Sequence, residues 1–261
     1  MNILETITQY KMQELPVLKK QVAITALKDS ALFERNCISL SKRLKQPNAT
    51  GIIAEFKRKS PSKGIINATA KVEDVTAAYT NAGASGLSVL TDRHFFGGCS
   101  EDLLKARMQP NAILRKDFIV DAYQLTESKS MGADVILLIA ACLSPMQVND
   151  YAAEAKELGM EVLLEMHDDT ELQHICKQVD MVGINNRSLK TFKVDVQRSL
   201  ALSKLLPTDK IKIAESGIDN PAMIKLFRNE GYSGFLMGEF FMKEKEPGSA
   251  FEKFVNKLNN Q

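Results

Sequence analysis

Gly51-Ile52-Ile53-Ala54-Glu55-Phe56-Lys57-Arg58-Lys59-Ser60-Pro61-Ser62-Lys63-Gly64 is the stretch on which the reading of this chain turns. It opens on a short apolar run, Gly51–Ala54, rich in β-branched residues and stopped further on by Ser-Pro and Gly. That pattern predicts a buried strand leaving its sheet. Glu55 and Lys57 are two residues apart, so on an extended chain they point the same way. An acid and an ammonium on one face at a strand's C-terminal end suit the catalytic rim of a parallel α/β barrel better than a core. The same letters also fit a solvated basic loop, a localisation signal or a phosphorylation target. The order of everything downstream decides between these readings.

From Gly51 onward a rhythm sets in. Strand candidates are 51–54, 86–90, 112–114, 134–139, 161–164, 181–184, 210–214 and 234–237. Amphipathic helical stretches lie between them, clearest at 72–81, 121–131, 146–158, 169–178, 196–205 and 221–229. Gly83, Gly132, Gly159 and Gly231 follow helical segments, where glycine supplies a left-handed cap. Eight strands alternating with helices at about 20 to 30 residues per unit predict a (β/α)8 TIM barrel. A doubly wound open sheet is the alternative, but no Gly-x-Gly-x-x-Gly follows the first strand. Upstream, Leu4, Ile7, Leu15, Leu18 and Val22 recur among polar residues with a break expected near Pro16. Residues 1–48 are therefore expected to be an N-terminal helical extension of one α/β domain spanning 1–261.

Composition narrows the class. The chain has 261 residues, 44% hydrophobic and 25% charged, with a net charge of +2. That balance is ordinary for a globular protein and gives no global field to attract nucleic acid or a membrane surface. Cys37, Cys99, Cys142 and Cys176 are scattered, without Cys-x-x-Cys or zinc-finger spacing, so free buried thiols in a reducing cytoplasm are expected. No signal sequence and no apolar run of about 18 residues is present, so neither export nor a membrane span is predicted.

In a barrel, chemistry gathers where strands end. The predicted ends carry Glu55 and Lys57, then Arg115-Lys116-Asp117-Phe118, Glu165-Met166-His167, Asn185-Asn186-Arg187, Glu215-Ser216-Gly217 and Gly238-Glu239. Lys116 and Glu165 come from different strands and can face each other across the mouth. A lysine near cations and apolar walls can have a lowered pKa and give a proton, and a glutamate there can take one. Asn185 and Arg187 suit an oxyanion or carboxylate. Ser216-Gly217 and Gly238 read as glycine turns whose backbone N–H groups bind phosphate, as loops after the last two barrel strands commonly do. Any one of these residues alone is more often a solvated or salt-bridged loop residue, and the glycines can simply cap short turns. His94, His167 and His174 lack metal-ligand spacing, and His167 is expected at the surface or rim.

These motifs resemble indole-3-glycerol phosphate synthase over nearly the whole chain. The most specific part is Ile53–Ser62. Leu90-Thr91-Asp92 with Phe96-Gly97-Gly98, Leu114–Ile119, Gly183–Arg187 and Ala214–Ile218 fit the same family in the same order, and so does a helical extension beside the barrel mouth. The resemblance implies a carboxy-lyase that closes, decarboxylates and dehydrates 1-(2-carboxyphenylamino)-1-deoxyribulose 5-phosphate, without cofactor or metal. It implies Lys116 as general acid, Glu165 as the group assisting proton removal, Lys57 as anion holder and proton-transfer partner, Glu55 as orienter and Asn185 as hydrogen-bond donor to the developing hydroxyl. Ser60 and Arg187 would bind the anthranilate carboxylate, Ser216, Gly217 and Gly238 the phosphate, while Phe96 and Phe118 wall the ring. Whether Lys57 or Lys116 is the principal acid is left open.

The implied partner is a phosphorylated small molecule, not nucleic acid or membrane. The implied state is a cytoplasmic monomer, with association with other tryptophan-pathway enzymes left open. Two departures stand out. Glu239 occupies a place where some members carry a small hydroxyl residue, so its side chain is expected to turn away from phosphate. The extension has no tryptophan for an aromatic lid. A phosphoribosylanthranilate isomerase-like enzyme and a catalytically silent sugar-phosphate-binding barrel are the alternatives.

Overall fold

The computed structural model describes residues 3–188 and 193–260. Eight strands close into one parallel barrel: β1 (Ile52–Phe56), β2 (Gly86–Leu90), β3 (Ile113–Lys116), β4 (Val135–Ile139), β5 (Glu161–Met166), β6 (Met181–Asn185), β7 (Ile211–Glu215) and β8 (Tyr232–Met237). Each pairs with its sequence neighbours, and β1 closes the ring by pairing with both β2 and β8, Ile53 lying opposite Gly86 and Leu236. All eight expected strands are present, most extended by one or two residues toward the C-terminal end.

Strand alternation creates two cores. Ile52, Ala54, Leu87, Ile113, Val162 and Val182 face outward and pack against the surrounding helices. Ile53, Leu114, Val135, Leu137, Leu163, Met181, Ile211, Ile213 and Leu236 face inward and fill the barrel. Because successive side chains alternate, the next inward position after each of several of these apolar residues lies two residues further on, at the rim. Ile53 leads to Glu55, Leu114 to Lys116, Leu163 to Glu165 and Ile213 to Glu215.

The extension contributes at both ends of the barrel. Leu40 and Leu44, on the short helix Leu40–Leu44, join the inward cluster and plug its lower end. Gly86 makes room for that plug, since a Cβ there would lie 2.6 Å from Leu40 Cδ1. At the upper end runs the first helix, Ile3–Gln21. It passes through Pro16 without stopping, contrary to the expected break. Proline removes one N–H and crowds the preceding turn, and the residues this helix buries, Leu4, Ile7, Lys11 and Leu15, all lie before it, so the stretch after Pro16 continues on the outside of the molecule.

Other differences are local. The expected helix 169–178 is only a 3-10 segment, Asp169–His174, a sequence of polar residues with little apolar face to bury. Helices Ser100–Ala106 and Pro247–Asn259 lie outside the expected set. The four glycines expected as caps all have positive φ, between 77° and 90°. The basic run after β1 is largely occupied: Arg58 pairs with Asp102, Lys59 donates to the His94 carbonyl, and Lys59–Ser60 forms a small hairpin with Gly64–Ile65. That removes the support for a free basic signal.

Candidate active site

Inward alternation at the top of the barrel brings Glu55, Lys116, Glu165, Asn185 and Glu215 to one cavity, whose wall also includes Lys57 from just beyond β1. Lys116 Nζ donates to Glu165 Oε2 at 2.7 Å and lies 3.6 Å from Glu215 Oε2. Asn185 Nδ2 donates to Glu165 Oε1 at 2.9 Å. Lys57 Nζ is 2.7 Å from Glu55 Oε1, and Ser88 Oγ donates to Glu55 Oε2 at 3.3 Å. Asn185 Oδ1 also accepts from the Arg187 N–H at 3.0 Å, which fixes the amide's orientation.

Three carboxylates and two lysines cannot all be comfortable here. Burial works against the charge on Lys116, but Glu165, Glu215 and Glu55 outweigh it and hold the ammonium above its usual pKa. This reverses the expected lowering: the neighbours of Lys116 are acids, not cations. Burial also opposes ionisation of Glu165, yet Lys116 and His167 hold it well below the usual carboxylate range. Glu215 takes the opposite course. Burial, and the charges of Glu165 and Glu55 against the weaker pull of Lys116, push it up to about 8. At neutral pH the charged Lys116–Glu165 pair therefore stands beside a protonated glutamic acid.

Glu215 ends its strand in the sequence without a role attached to it. A signal exists on the neighbouring strand: a Cβ on Gly183 would lie 2.1 Å from Glu215 Oε1, so that glycine is the space the carboxyl occupies. His167 stands at the rim, one of the two places expected for it, but buried there. It is only 8% exposed, with Nε2 3.3 Å from Glu165 Oε1 and Nδ1 3.7 Å from Glu171 Oε2. Burial disfavours its charge, but the two carboxylates push its pKa up to about 9.

The remaining expected residues fall around this centre. Ser60, Arg187, Ser216, Phe96 and Phe118 line the same cavity. The Phe96 and Phe118 rings lie 6.0 Å apart at 34°, and Ile3, Leu4 and Ile7 of the first helix complete an apolar wall. Gly217 and Gly238 are not in the lining itself. Ser216 and Gly217 both have left-handed φ, 66° and 69°. For serine this conformation costs on the order of 1 kcal/mol, and the Ser216 carbonyl is held by Asn186 Nδ2 at 2.7 Å. Gly238 packs against Glu55, whose Cβ and Oε1 would each be 2.8 Å from an added Cβ. Glu239 turns to cations, with Oε2 3.3 Å from Arg187 Nη2 and Oε1 3.8 Å from Lys63 Nζ. Among the described residues, no three of His, Cys, Asp and Glu are placed to share a metal ion, and no helix is long and apolar enough to cross a membrane.

Comparisons with known proteins separate fold from family. A mutant alpha subunit of tryptophan synthase from the hyperthermophile Pyrococcus furiosus superposes with a TM-score of 0.61 over 81% of this chain and 98% of its own, at 15% identity. That likeness speaks for the barrel alone. Indole-3-glycerol phosphate synthases are much nearer in sequence. The protein from Bacteroides thetaiotaomicron is 44% identical, covering 98% of this chain and 99% of its own, and that from Legionella pneumophila (strain Paris) is 42% identical over 97% and 98%. The family description "Indole-3-glycerol phosphate synthase" matches residues 4–254, nearly the full chain, and with these relatives it establishes that the chain belongs to the indole-3-glycerol phosphate synthase family.

Proposed function

We propose that the rim cluster around Lys116 and Glu165 carries out the family's reaction, the conversion of 1-(2-carboxyphenylamino)-1-deoxyribulose 5-phosphate to indole-3-glycerol phosphate. The observation that supports this most is the 2.7 Å Lys116–Glu165 pair, buried at the top of the barrel and flanked by Asn185 and a protonated Glu215. In the first step the ring carbon bearing the carboxylate attacks the ribulose carbonyl, and the carbonyl π electrons move onto oxygen. Lys116 stands charged where that negative charge develops and gives it a proton. A fixed cation at that point costs no reorganisation during reaction. Carbon dioxide then leaves, its bonding pair restoring the aromatic ring. Finally the new hydroxyl takes a second proton, from the protonated Glu215, and leaves as water, while Glu165 takes a proton from the neighbouring carbon and the electrons of that C–H bond close the double bond.

The other residues position the substrate. Asn185 donates to the developing hydroxyl, and Glu55 orients Lys57, which holds anionic substrate and assists proton transfer. Arg187 and Ser60 bind the anthranilate carboxylate. Backbone N–H groups at Ser216, Gly217 and Gly238 bind the phosphate, while Glu239 keeps its carboxylate on Arg187 and Lys63. Phe96 and Phe118 wall the aromatic ring. Glu215, neutral at physiological pH, joins the catalytic set as a second proton carrier beside Lys116. We take the chain as one domain, with the extension's Leu40 and Leu44 seated in the barrel as support. The four unpaired cysteines support a cytoplasmic setting.

Turnover is read by indole fluorescence, since the chain contains no tryptophan. Lys116→Met is expected to lower kcat by about 10³- to 10⁴-fold while the far-UV circular dichroism stays unchanged. Near-normal turnover by a folded Lys116→Met protein would remove Lys116 as the acid and leave Lys57 in its place.

A further inference from the structure

Lys11 sits on the first helix, within the extension, yet is only 6% exposed. Its Nζ lies 3.1 Å from Asp92 Oδ2 and 3.1 Å from Asp117 Oδ1, and 3.2 Å from the half-buried Glu14. The two aspartates head the loops that leave β2 and β3. Asp92 Oδ1 accepts from the N–H groups of Phe95, at 2.7 Å, and Phe96, at 3.1 Å. Asp117 Oδ1 accepts from the Phe118 N–H at 2.8 Å, and its Oδ2 accepts from Thr91 Oγ1 at 2.5 Å and Arg115 Nη2 at 3.1 Å. One ammonium is thus shared by the two carboxylates that fix the backbones of Phe96 and Phe118. Ile7 and Leu4 stand four and seven residues before Lys11, hence on the same helix face, and both line the cavity that those rings also line.

We propose that Lys11 is a positioning residue for the aromatic end of the substrate: it ties the first helix to the loops after β2 and β3 and so sets the width of the slot between Leu4, Ile7, Phe96 and Phe118. The proposal rests on the reading of Phe96 and Phe118 as ring walls. A simple staple for the fold would act differently. Without Lys11, Asp117 keeps Arg115, Thr91 and the Phe118 N–H, and Asp92 keeps two backbone donors. The loops hold their own turns, and what is lost is their spacing from the helix. The phosphate end, built on the loops after β7 and β8, shares none of these bonds.

The test compares the two ends of the ligand. The dissociation constant of indole-3-glycerol phosphate is measured by its own indole emission, and inorganic phosphate is measured as a competitive inhibitor. Lys11→Met is expected to weaken the product about tenfold, the scale of a sub-ångström misplacement, with phosphate inhibition changed less than about twofold. Equal weakening of both, or of neither, in a folded protein overturns the proposal. Lys11→Met leaves Asp92 short of a counter-charge, so Lys11→Met/Asp92→Asn serves if the single variant fails to fold, with the same selective loss expected and the same outcomes overturning it. Phe118→Ala separates this proposal from its premise. Weak product binding there with normal binding in Lys11→Met sinks the tie alone, and normal binding in Phe118→Ala sinks the slot and the tie together.

Discussion

The lower and upper ends of the barrel use the same kind of inward-pointing position for opposite purposes. Toward the lower end Ile53, Leu114, Leu163 and Ile213 share one cluster with Leu40 and Leu44 of the extension, all buried and apolar. One layer higher on the same strands stand Glu55, Glu165 and Glu215, nearly as buried but polar, with the partly buried Lys116 among them. Burying apolar surface stabilises each layer below by roughly 25 cal/mol per Å², whereas burying a carboxyl is unfavourable unless it is paired. The upper layer is therefore poor in stability and rich in chemistry, and it is held in place by the layer beneath it. Substitutions in the two layers should separate cleanly into effects on turnover and effects on unfolding.

The sharpest break with that comparison would come at Glu165. Glu165→Gln keeps the shape and a hydrogen-bonding oxygen for Lys116 but cannot take a proton. We expect kcat to fall by about 10²- to 10³-fold, some 3–4 kcal/mol on the barrier, with KM nearly unchanged. If only KM rose, Glu165 would be a binding residue and the upper layer would owe its charges to recognition.

Leu40 tests the other layer. It is fully buried at the base of the barrel. Leu40→Ala should cost about 2–5 kcal/mol of unfolding free energy from urea titration, with kcat of the folded fraction within about a factor of two. A large drop in kcat would show that the plug transmits to the rim. Next in size is Gly183→Ala, whose added Cβ would collide with the Glu215 carboxyl. A fall in kcat of about tenfold is expected, and in a double-mutant cycle with Glu215→Ala the two losses should not add. Additive losses would mean that Gly183 acts on the site by some route other than Glu215.

The barrel is legible because its signal is repeated: eight apolar runs, each stopped by polar residues, and glycines where helices end. The site is legible to the extent that strand alternation carries it. Glu55, Lys116, Glu165 and Asn185 all sit at inward positions that can be counted from an apolar residue on the same strand, and Lys57 follows Glu55 by two just beyond it. What escapes depends on contacts between distant segments. His167 follows Glu165 by two, but its burial comes from Glu171 and the turn that Glu171 closes, through the 2.6 Å bond from the His167 N–H. The sequence points the Lys116 pKa in the wrong direction because the three acids around it come from three other strands. Lys11 looks like a solvated residue on an amphipathic helix, and only the folded chain sets it against Asp92 and Asp117, far along the sequence.

The finest test concerns Glu215 and pH. Its folded pKa is raised from the ordinary 4.5 to about 8, so between those values the folded protein holds a proton that the unfolded chain has released. Stability falls wherever the native state binds more protons than the unfolded one and pH rises. The contribution of Glu215 is thus most favourable below pH 4.5 and is lost as pH climbs to about 8. His167 has the same sign in a higher window: its folded pKa of about 9 lies above the ordinary 6.5, so the stability it adds is complete below 6.5 and fades as pH passes about 9. Glu165 and Asp117, both held below the usual range, act at the acid end, where their contribution is lost as pH falls. Urea midpoints for Glu215→Gln should consequently decline less than those of the wild type between about pH 5 and 8, and the two should run parallel from about pH 8 to 9, where His167 dominates the titration. An unchanged slope across the lower window would mean that Glu215 is ionised in the folded protein. The Lys116–Glu165 pair would then face a second charged carboxylate at Glu215, and the proton proposed beside Lys116 could not come from Glu215.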